Sequence, residues 1–477
     1  MKRTSKILAS YLSIFILIWT SIPSFFNSNL PLDVIEHLAY GPKLEFGYWK
    51  HPYLLAWLTN IANLLSPGNG WTIYLISTLM VSLGLIFLYH LARERFDENQ
   101  SLAIVLLTSG IYYFTYPIPE FNQNILLLSL WPIATYFGYR VTFDDRLKNW
   151  VFLGIAVGLL SVSKYFSIVW FIGYCLYTLQ KSIRPMYRNY KLYIATLVAF
   201  VFLLPNLYWQ WKHQFIGIDY ALSRLKVETP TLWSHFSTAS NFSSAQLADI
   251  ALCLLLFYGL TFKGLRAIKA SHSQKAYDRF ILYMFYIPLI ATLSIPLLSG
   301  EEIKQIWGTP LWDLLPIYLF IKKPVSVSLK QVKILFYTAS SILLIIGVAY
   351  AIFSDFYILD KKGSRTLFPG NELATKANEF WIKNEGDKPK MIVGGDVWLA
   401  GNVAYYGTPP ESQRPFVFID LNNLTCPRLT TIFVQHDFLA ISLNPCNNPP
   451  SHFLLKQQTE ITLEKKIYCL QILKAKM

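Results

Sequence analysis

Leu32 to Leu58 reads LDVIEHLAYGPKLEFGYWKHPYLLAWL and sits between two strongly apolar regions. Asp33 and Glu36 are three apart, so a helix places both carboxylates on one face, with Tyr40 one turn further along. Such a pair suits deprotonation of a hydroxyl. It also suits a hard divalent ion, and the plainest alternative is that both acids simply occupy the favourable first turn of an interfacial helix. Lys50 and His51 precede Pro52, whose fixed φ and missing N–H favour a turn or a helix start. Lys and His beside carboxylates form a receptor for phosphate. The competing structural role is anchorage of Tyr48, Trp49 and Lys50 at a membrane surface.

Three later segments offer similar groups. YPIPEFNQNILLLSLWP carries Glu120, Asn122 and Asn124, SKYF carries Lys164 and Tyr165, and NLYWQWKHQF carries Trp209, Trp211, Lys212 and His213. Polar side chains at the mouth of a span often do no more than satisfy helix ends, and aromatics there often form an interfacial belt. Four clusters on one side of a membrane point instead to a shared site.

The elements that must position these residues are membrane helices. The chain has 477 residues, 53% hydrophobic, 16% aromatic and only 15% charged. Its net charge of +14 gathers in short clusters between apolar runs, which is the signature of topology rather than of a nucleic-acid surface. Apolar segments fall at 7–26, 71–91, 102–116, 124–141, 150–163, 165–180, 192–209, 249–263, 280–298, 306–321 and 334–353, giving about eleven spans. The first follows MKRTSK and has no small-residue cleavage site after it, so it reads as an uncleaved span.

Lys and Arg alternate sides as the positive-inside rule requires. The cytoplasmic turns are ARERFDENQ, RVTFDDRLK, KSIRPMYRNYK, KGLRAIKASHSQKAYDR and KKPVSVSLKQVK, and all the clusters above fall outside. The same rule breaks the run from Trp150 to Gln180 into two spans meeting near Lys164. A single helix would put that charge mid-membrane, at a cost of about 3 kcal/mol on insertion scales.

HPYLLAWLTNIANLL reads as a short helix lying on the outer interface. Residues 1–353 form the membrane domain and 354–477 a small extracytoplasmic α/β domain. In that domain NELATKANEFWIKNEG is helical, and KMIVGG, RPFVFID, TIFVQ, FLAIS and KKIYCLQILK are strands. Cys175 and Cys253 lie in apolar runs as packing residues. Cys426, Cys446 and Cys469 leave room for one disulfide of undetermined pairing. No Walker loop, GxGxxG, HExxH or paired CxxC occurs, which excludes a nucleotide-driven pump and gives a transition-metal site no support.

LDVIEHLAYG, GYWKHPYLLAWL, FNQNILLLSLWP, SKYF and IWGTPLWDLLPIY, in that order, resemble glycosyltransferase family 39, the membrane enzymes that use polyprenyl-phosphate sugars. GGDVWLAGNVAYYG with RPFVFID resembles the extracytoplasmic tail of bacterial members. The chain departs from the pattern in HPY, where many relatives have a second proline, and in IWGTP, where a His often precedes the Trp.

The resemblance implies a GT-C-like fold, a polyprenyl-phosphate-linked donor and a lipid or polysaccharide acceptor, lipid A or the lipopolysaccharide core foremost. It makes Asp33 and Glu36 catalytic, assigns Lys50, His51, Lys164 and Tyr165 to the donor phosphate, and lines the site with Tyr40, Glu120, Asn124 and Trp307. It names no certain cofactor, and a divalent metal on Asp33 and Glu36 stays open. A flippase of lipid-linked sugars would carry its key charges near mid-membrane, whereas here they collect at one face. A protein O-glycosyltransferase and a catalytically dead scaffold are the remaining rivals.

Overall fold

The computed structural model describes residues 3–40, 44–224, 230–261, 272–356, 365–394, 396–408, 414–418, 437–449, 453–464 and 466–475. Its helices are α1 (Arg3–Phe26), α2 (Leu32–Tyr40), α3 (Leu54–Leu65), α4 (Trp71–Arg93), α5 (Glu98–Leu107), α6 (Gln123–Phe143), α7 (Leu147–Ser161), α8 (Ile168–Thr178), α9 (Tyr190–Lys212), α10 (Ile216–Ser223), α11 (Leu232–Thr261), α12 (His272–Ser299), α13 (Leu315–Lys322), α14 (Leu329–Phe356), α15 (Gly370–Glu385) and α16 (Val397–Tyr406). The strands are β1 (Met391–Gly394), β2 (Phe416–Phe418), β3 (Phe438–Leu443), β4 (Phe453–Leu463) and β5 (Lys466–Ala475). The chain divides into two compact units, one of Met1–Ile22, Phe46–Leu55 and Tyr74–Tyr350, the other of Pro23–Glu45, Ala56–Ile73 and Ala351–Met477.

In the first unit every segment expected to span carries helix. Among the described residues, six helices across the chain are long and apolar enough to cross a membrane: Thr4–Phe26, Trp71–Arg93, Tyr190–Lys212, Leu232–Thr261, Gln274–Ser299 and Leu329–Phe353. Others are short. α7 has 15 residues, α8 has 11 and α13 has 8, and the 102–116 segment breaks after α5 into 3-10 turns at Thr108–Gly110 and Tyr112–Phe114. At 1.5 Å per residue, α7 reaches roughly 22 Å, less than the ~30 Å hydrocarbon core. The break between α7 and α8 falls at Lys164, where the flanking charges demand it.

Polar contacts among the basic turns fix one end of this helical unit. Arg95 pairs with Asp278 at 3.1 Å, Arg140 with Glu94 at 2.7 Å, and Lys191 with Asp145 at 2.7 Å. Thr4 donates to Glu98, while Asn99 and Gln100 donate to the carbonyls of Val327 and Val325. The start of α1 and all five basic turns are thereby linked by hydrogen bonds or ion pairs, so the segments expected on one side of the membrane do meet. Asn124 at the start of α6, Lys164 after α7 and Trp209 near the end of α9 lie at the other ends of their helices.

One stretch read as an outside loop is helical. α11 begins at Leu232 in the Ser/Thr-rich LWSHFSTASNFSSAQ, whose composition disfavours helix because hydroxyls compete for the backbone. Here they return to the turn before. Thr238 donates to the Ser234 carbonyl and Ser243 to that of Ala239, both at 2.7 Å.

The second unit contains a five-stranded sheet of order β2-β1-β3-β5-β4, parallel from β2 through β3 and antiparallel thereafter. Leu373, Ala377 and Trp381 of α15 and Leu399, Ala400 and Val403 of α16 pack with Ile392, Leu439, Leu470 and Ile472 of the sheet. α15 ends at Gly386, whose φ of +81° suits the left-handed residue past a helix C-terminus. Cys446 and Cys469 form a disulfide. TIFVQ and Cys426 lie outside the described residues.

Candidate active site

The two carboxylates belong to the second unit. Asp33 occupies the first turn of α2, half-buried, and Glu36 is 5% exposed. The spacing does what helix geometry requires: Tyr40, four residues after Glu36, donates its hydroxyl proton to Glu36 Oε1.

The C-terminal fold holds α2. Val34, Ile35, Leu38 and Ala39 are buried, and α2 packs on α16 where Gly401 leaves room. A Cβ at Gly401 would stand 2.8 Å from Ile35 Cγ2 and 3.4 Å from Ala39 Cβ. Arg414 donates to the Leu38 carbonyl at 3.0 Å, satisfying one of the open acceptors of the last turn. Its guanidinium also lies 5.2 Å from the Tyr405 ring centroid. Burial draws Arg414 below its ordinary value, and it stays charged. Asn60 donates to the His37 carbonyl at 3.2 Å, Tyr405 bonds Asn63, and the Leu30 N–H donates to the Tyr406 hydroxyl.

The remaining candidates lie in the first unit, where Lys164 and Tyr165 are adjacent and face different neighbours. Lys164, read from sequence as lying at the outer membrane surface, is buried, 8% exposed. Its ammonium donates to Asn124 Oδ1 and sits 5.1 Å from the ring of Trp307 and 5.2 Å from that of Phe166, in cation–π range. Asn124 is fixed in turn. Asn122 caps α6 by accepting from the N–H groups of Asn124 and Ile125 and from the Asn124 amide at 3.3 Å. Asn124, Lys164 and Trp307 therefore form one cluster. Glu120 is half-buried in the 3-10 turn Ile118–Glu120, two residues before that cap.

Tyr165 faces the GYWKHP turn. Its hydroxyl accepts from Gln210 Nε2 at 2.7 Å, and the same amide's oxygen accepts from the Gly217 N–H at 3.1 Å. A Cβ at Gly217 would lie 3.0 Å from the Tyr165 hydroxyl and 3.1 Å from the Tyr48 carbonyl, so glycine is needed where these segments meet. The turn closes on itself, Tyr48 N–H to His51 carbonyl at 3.0 Å. Lys50 lies 4.7 Å from the Trp49 ring centroid and 5.7 Å from that of Tyr220, and His51 stands edge-on to Tyr220.

Sequence reasoning passed over Tyr220 and Gln210, which join that wall, and a buried network around Asp249. Tyr113 donates to Asp249 at 2.7 Å, and Gln305 donates to Asp249 at 2.6 Å. A lone acid opening an apolar run was the available signal. Among the described residues, no group of three or more His, Cys, Asp or Glu side chains gathers as a metal site.

A family profile described as dolichyl-phosphate-mannose-protein mannosyltransferase matches residues 50–209. The chain is 23% identical over 427 residues, 82% of each chain, to a lipopolysaccharide core galacturonosyltransferase of Rhizobium johnstonii. It is 24% identical over 199 residues, 40% of each chain, to a lipid A galacturonosyltransferase of the same organism. The crystal structure of ArnT from Cupriavidus metallidurans bound to undecaprenyl phosphate superposes with a TM-score of 0.62 over 98% of both chains at 12% identity, which is a likeness of fold. Together these matches bear out the resemblance carried by the motifs.

Proposed function

We propose that this chain, a membrane glycosyltransferase resembling family 39, moves a sugar from a polyprenyl-phosphate donor to lipid A or the lipopolysaccharide core. The reading places the reaction at the outer face of a bacterial inner membrane. About eleven spans put the basic turns in the cytoplasm and residues 354–477 in the periplasm. The observation that carries it is the buried Lys164 ammonium, held by Asn124 and two aromatic rings at the helix end away from the basic turns.

In the proposed step the bond between the anomeric carbon and the phosphate oxygen breaks as the acceptor oxygen attacks from the opposite face, inverting the centre. The electron pair leaves with the phosphate, where Lys164, Lys50 and His51 meet the growing charge and Tyr165 sets the wall between them. Phosphate is already a good leaving group, so no strong acid is required. The acceptor's proton goes to Asp33, and Glu36, itself hydrogen-bonded by Tyr40, orients the acceptor. Glu120, Asn124 and Trp307 line the donor side.

The profile's own description favours one second reading, a protein acceptor. Mass spectrometry of envelope glycolipids and glycoproteins from cells expressing the intact chain or Asp33→Asn separates the two. A sugar-sized mass lost from lipid A or core in the variant supports the proposal. A loss confined to glycoproteins transfers it to protein, and unchanged profiles with normal expression remove Asp33 from the chemistry.

A further inference from the structure

An apolar cavity of about 310 Å³ opens between α7, α8 and α9; it reaches Ser161 at the end of α7, and its lining includes none of the residues assigned to sugar transfer. Its walls include Val157 of α7, Trp170 and Tyr174 of α8, and Ala195, Thr196 and Leu203 of α9. Along α9 it runs from Leu192 to Leu203, roughly 16 Å at 1.5 Å per residue. That is about half the ~30 Å hydrocarbon core, the depth of one leaflet. The side of α9 away from its neighbours is apolar and exposed, including Leu197, Val201 and Leu204.

One end of the groove is marked by charge. Met186 and Tyr187 line it, and they belong to the 3-10 turn Arg184–Arg188 that connects α8 to α9. Lys181, Arg184 and Arg188 around that turn are exposed, and among the described residues none of the three makes an ion pair. Neighbouring Lys191 is different, being engaged by Asp145 at 2.7 Å. Three uncommitted cations at the mouth of a one-leaflet apolar groove complement a headgroup bearing phosphate above acyl chains.

We infer that this groove is a binding site for an anionic glycerophospholipid, with one acyl chain between α8 and α9 and its phosphate on Arg184, Arg188 and Lys181. The sugar donor's phosphate is assigned to other cations, among them Lys164, which follows the end of α7 away from Arg184 and Arg188. The site therefore fastens the short α8, whose 11 residues give it little hold of its own, to the longer α9 in the leaflet on the basic side.

Native mass spectrometry of the purified full chain, delipidated and titrated with dioleoyl phosphatidylglycerol or dioleoyl phosphatidylcholine, tests the inference. The expected result is at least tenfold preference for phosphatidylglycerol. That preference should disappear in Arg184→Gln/Arg188→Gln. Thr196→Phe fills the groove from an exposed position whose hydroxyl only returns to the Leu192 carbonyl; it should reduce adducts of both lipids while the size-exclusion profile is kept. Equal binding of the two lipids, or adducts unchanged in both variants, would overturn the proposal. Displacement of phosphatidylglycerol by equimolar polyprenyl phosphate would overturn it in favour of the donor.

Discussion

Replacing Lys164 by Met keeps the length of the side chain and removes its charge. In the resting protein the loss is modest: Asn124 Oδ1 gives up a donor, costing about 1–3 kcal/mol for an acceptor left buried, partly offset because an ammonium no longer has to be desolvated. Toward a donor phosphate the loss is larger in consequence. A charge-assisted hydrogen bond contributes about 1.5–3 kcal/mol, so polyprenyl-phosphate affinity should fall roughly 10- to 150-fold. The measurement is the dissociation constant for polyprenyl phosphate by titration calorimetry in detergent, with thermal unfolding of the same samples as the check on fold. Asn124→Leu provides the second arm. It leaves Lys164 in place but unfixed, and should weaken binding less than Lys164→Met does. A Lys164→Met protein that melts normally and binds within twofold of the parent would refute the assignment of this ammonium to the donor.

Three further outcomes rest on other parts of the molecule. Gly401→Val drives branched methyls into Ile35 and Ala39 of α2, an overpacking of about 1–3 kcal/mol, and should abolish sugar transfer while Lys164-dependent donor binding persists; simultaneous loss of both would separate the effect from α2. Cys446→Ser opens a bridge spanning 23 residues and should destabilise the C-terminal fold by about 3 kcal/mol, read as a lowered protease-resistance midpoint of that domain. Asp313 is fully buried and, among the described residues, neither carboxylate oxygen has a hydrogen-bond partner, so Asp313→Ala should raise thermal stability by about 1–3 kcal/mol; a fall would show that this carboxyl has a partner in the membrane.

What the sequence disclosed follows from which interactions are local. The break at Lys164 was legible because charge cannot remain in hydrocarbon, and the strand at Phe438–Leu443 because an apolar run bounded by turn signals was enough. Helix α16 was not foreseen as helix: its ten residues lie between glycines in GGDVWLAGNVAYYG, and only Asp396, which accepts from the Leu399 N–H, marks its start. Strand β4 was missed for another reason. FLLKQQTEITL is largely solvent-facing and sits at the sheet edge, so no buried face imposes an alternation. The carboxylate spacing in α2 was legible within four residues, whereas the partners that hold α2, Gly401 and Arg414, are hundreds of residues away and leave no local trace.

That separation matters for how the protein is made. Helix α2 is among the first segments to leave the ribosome, yet the residues that fasten it are among the last. A nascent chain interrupted before residue 400 carries Asp33 and Glu36 on a helix held by Asn60 but without its packing on α16 or the Arg414 contact. On the proposed roles of Asp33 and Glu36, catalytic competence arrives only once α16 and Arg414 have been made, and a chain truncated before them would transfer no sugar.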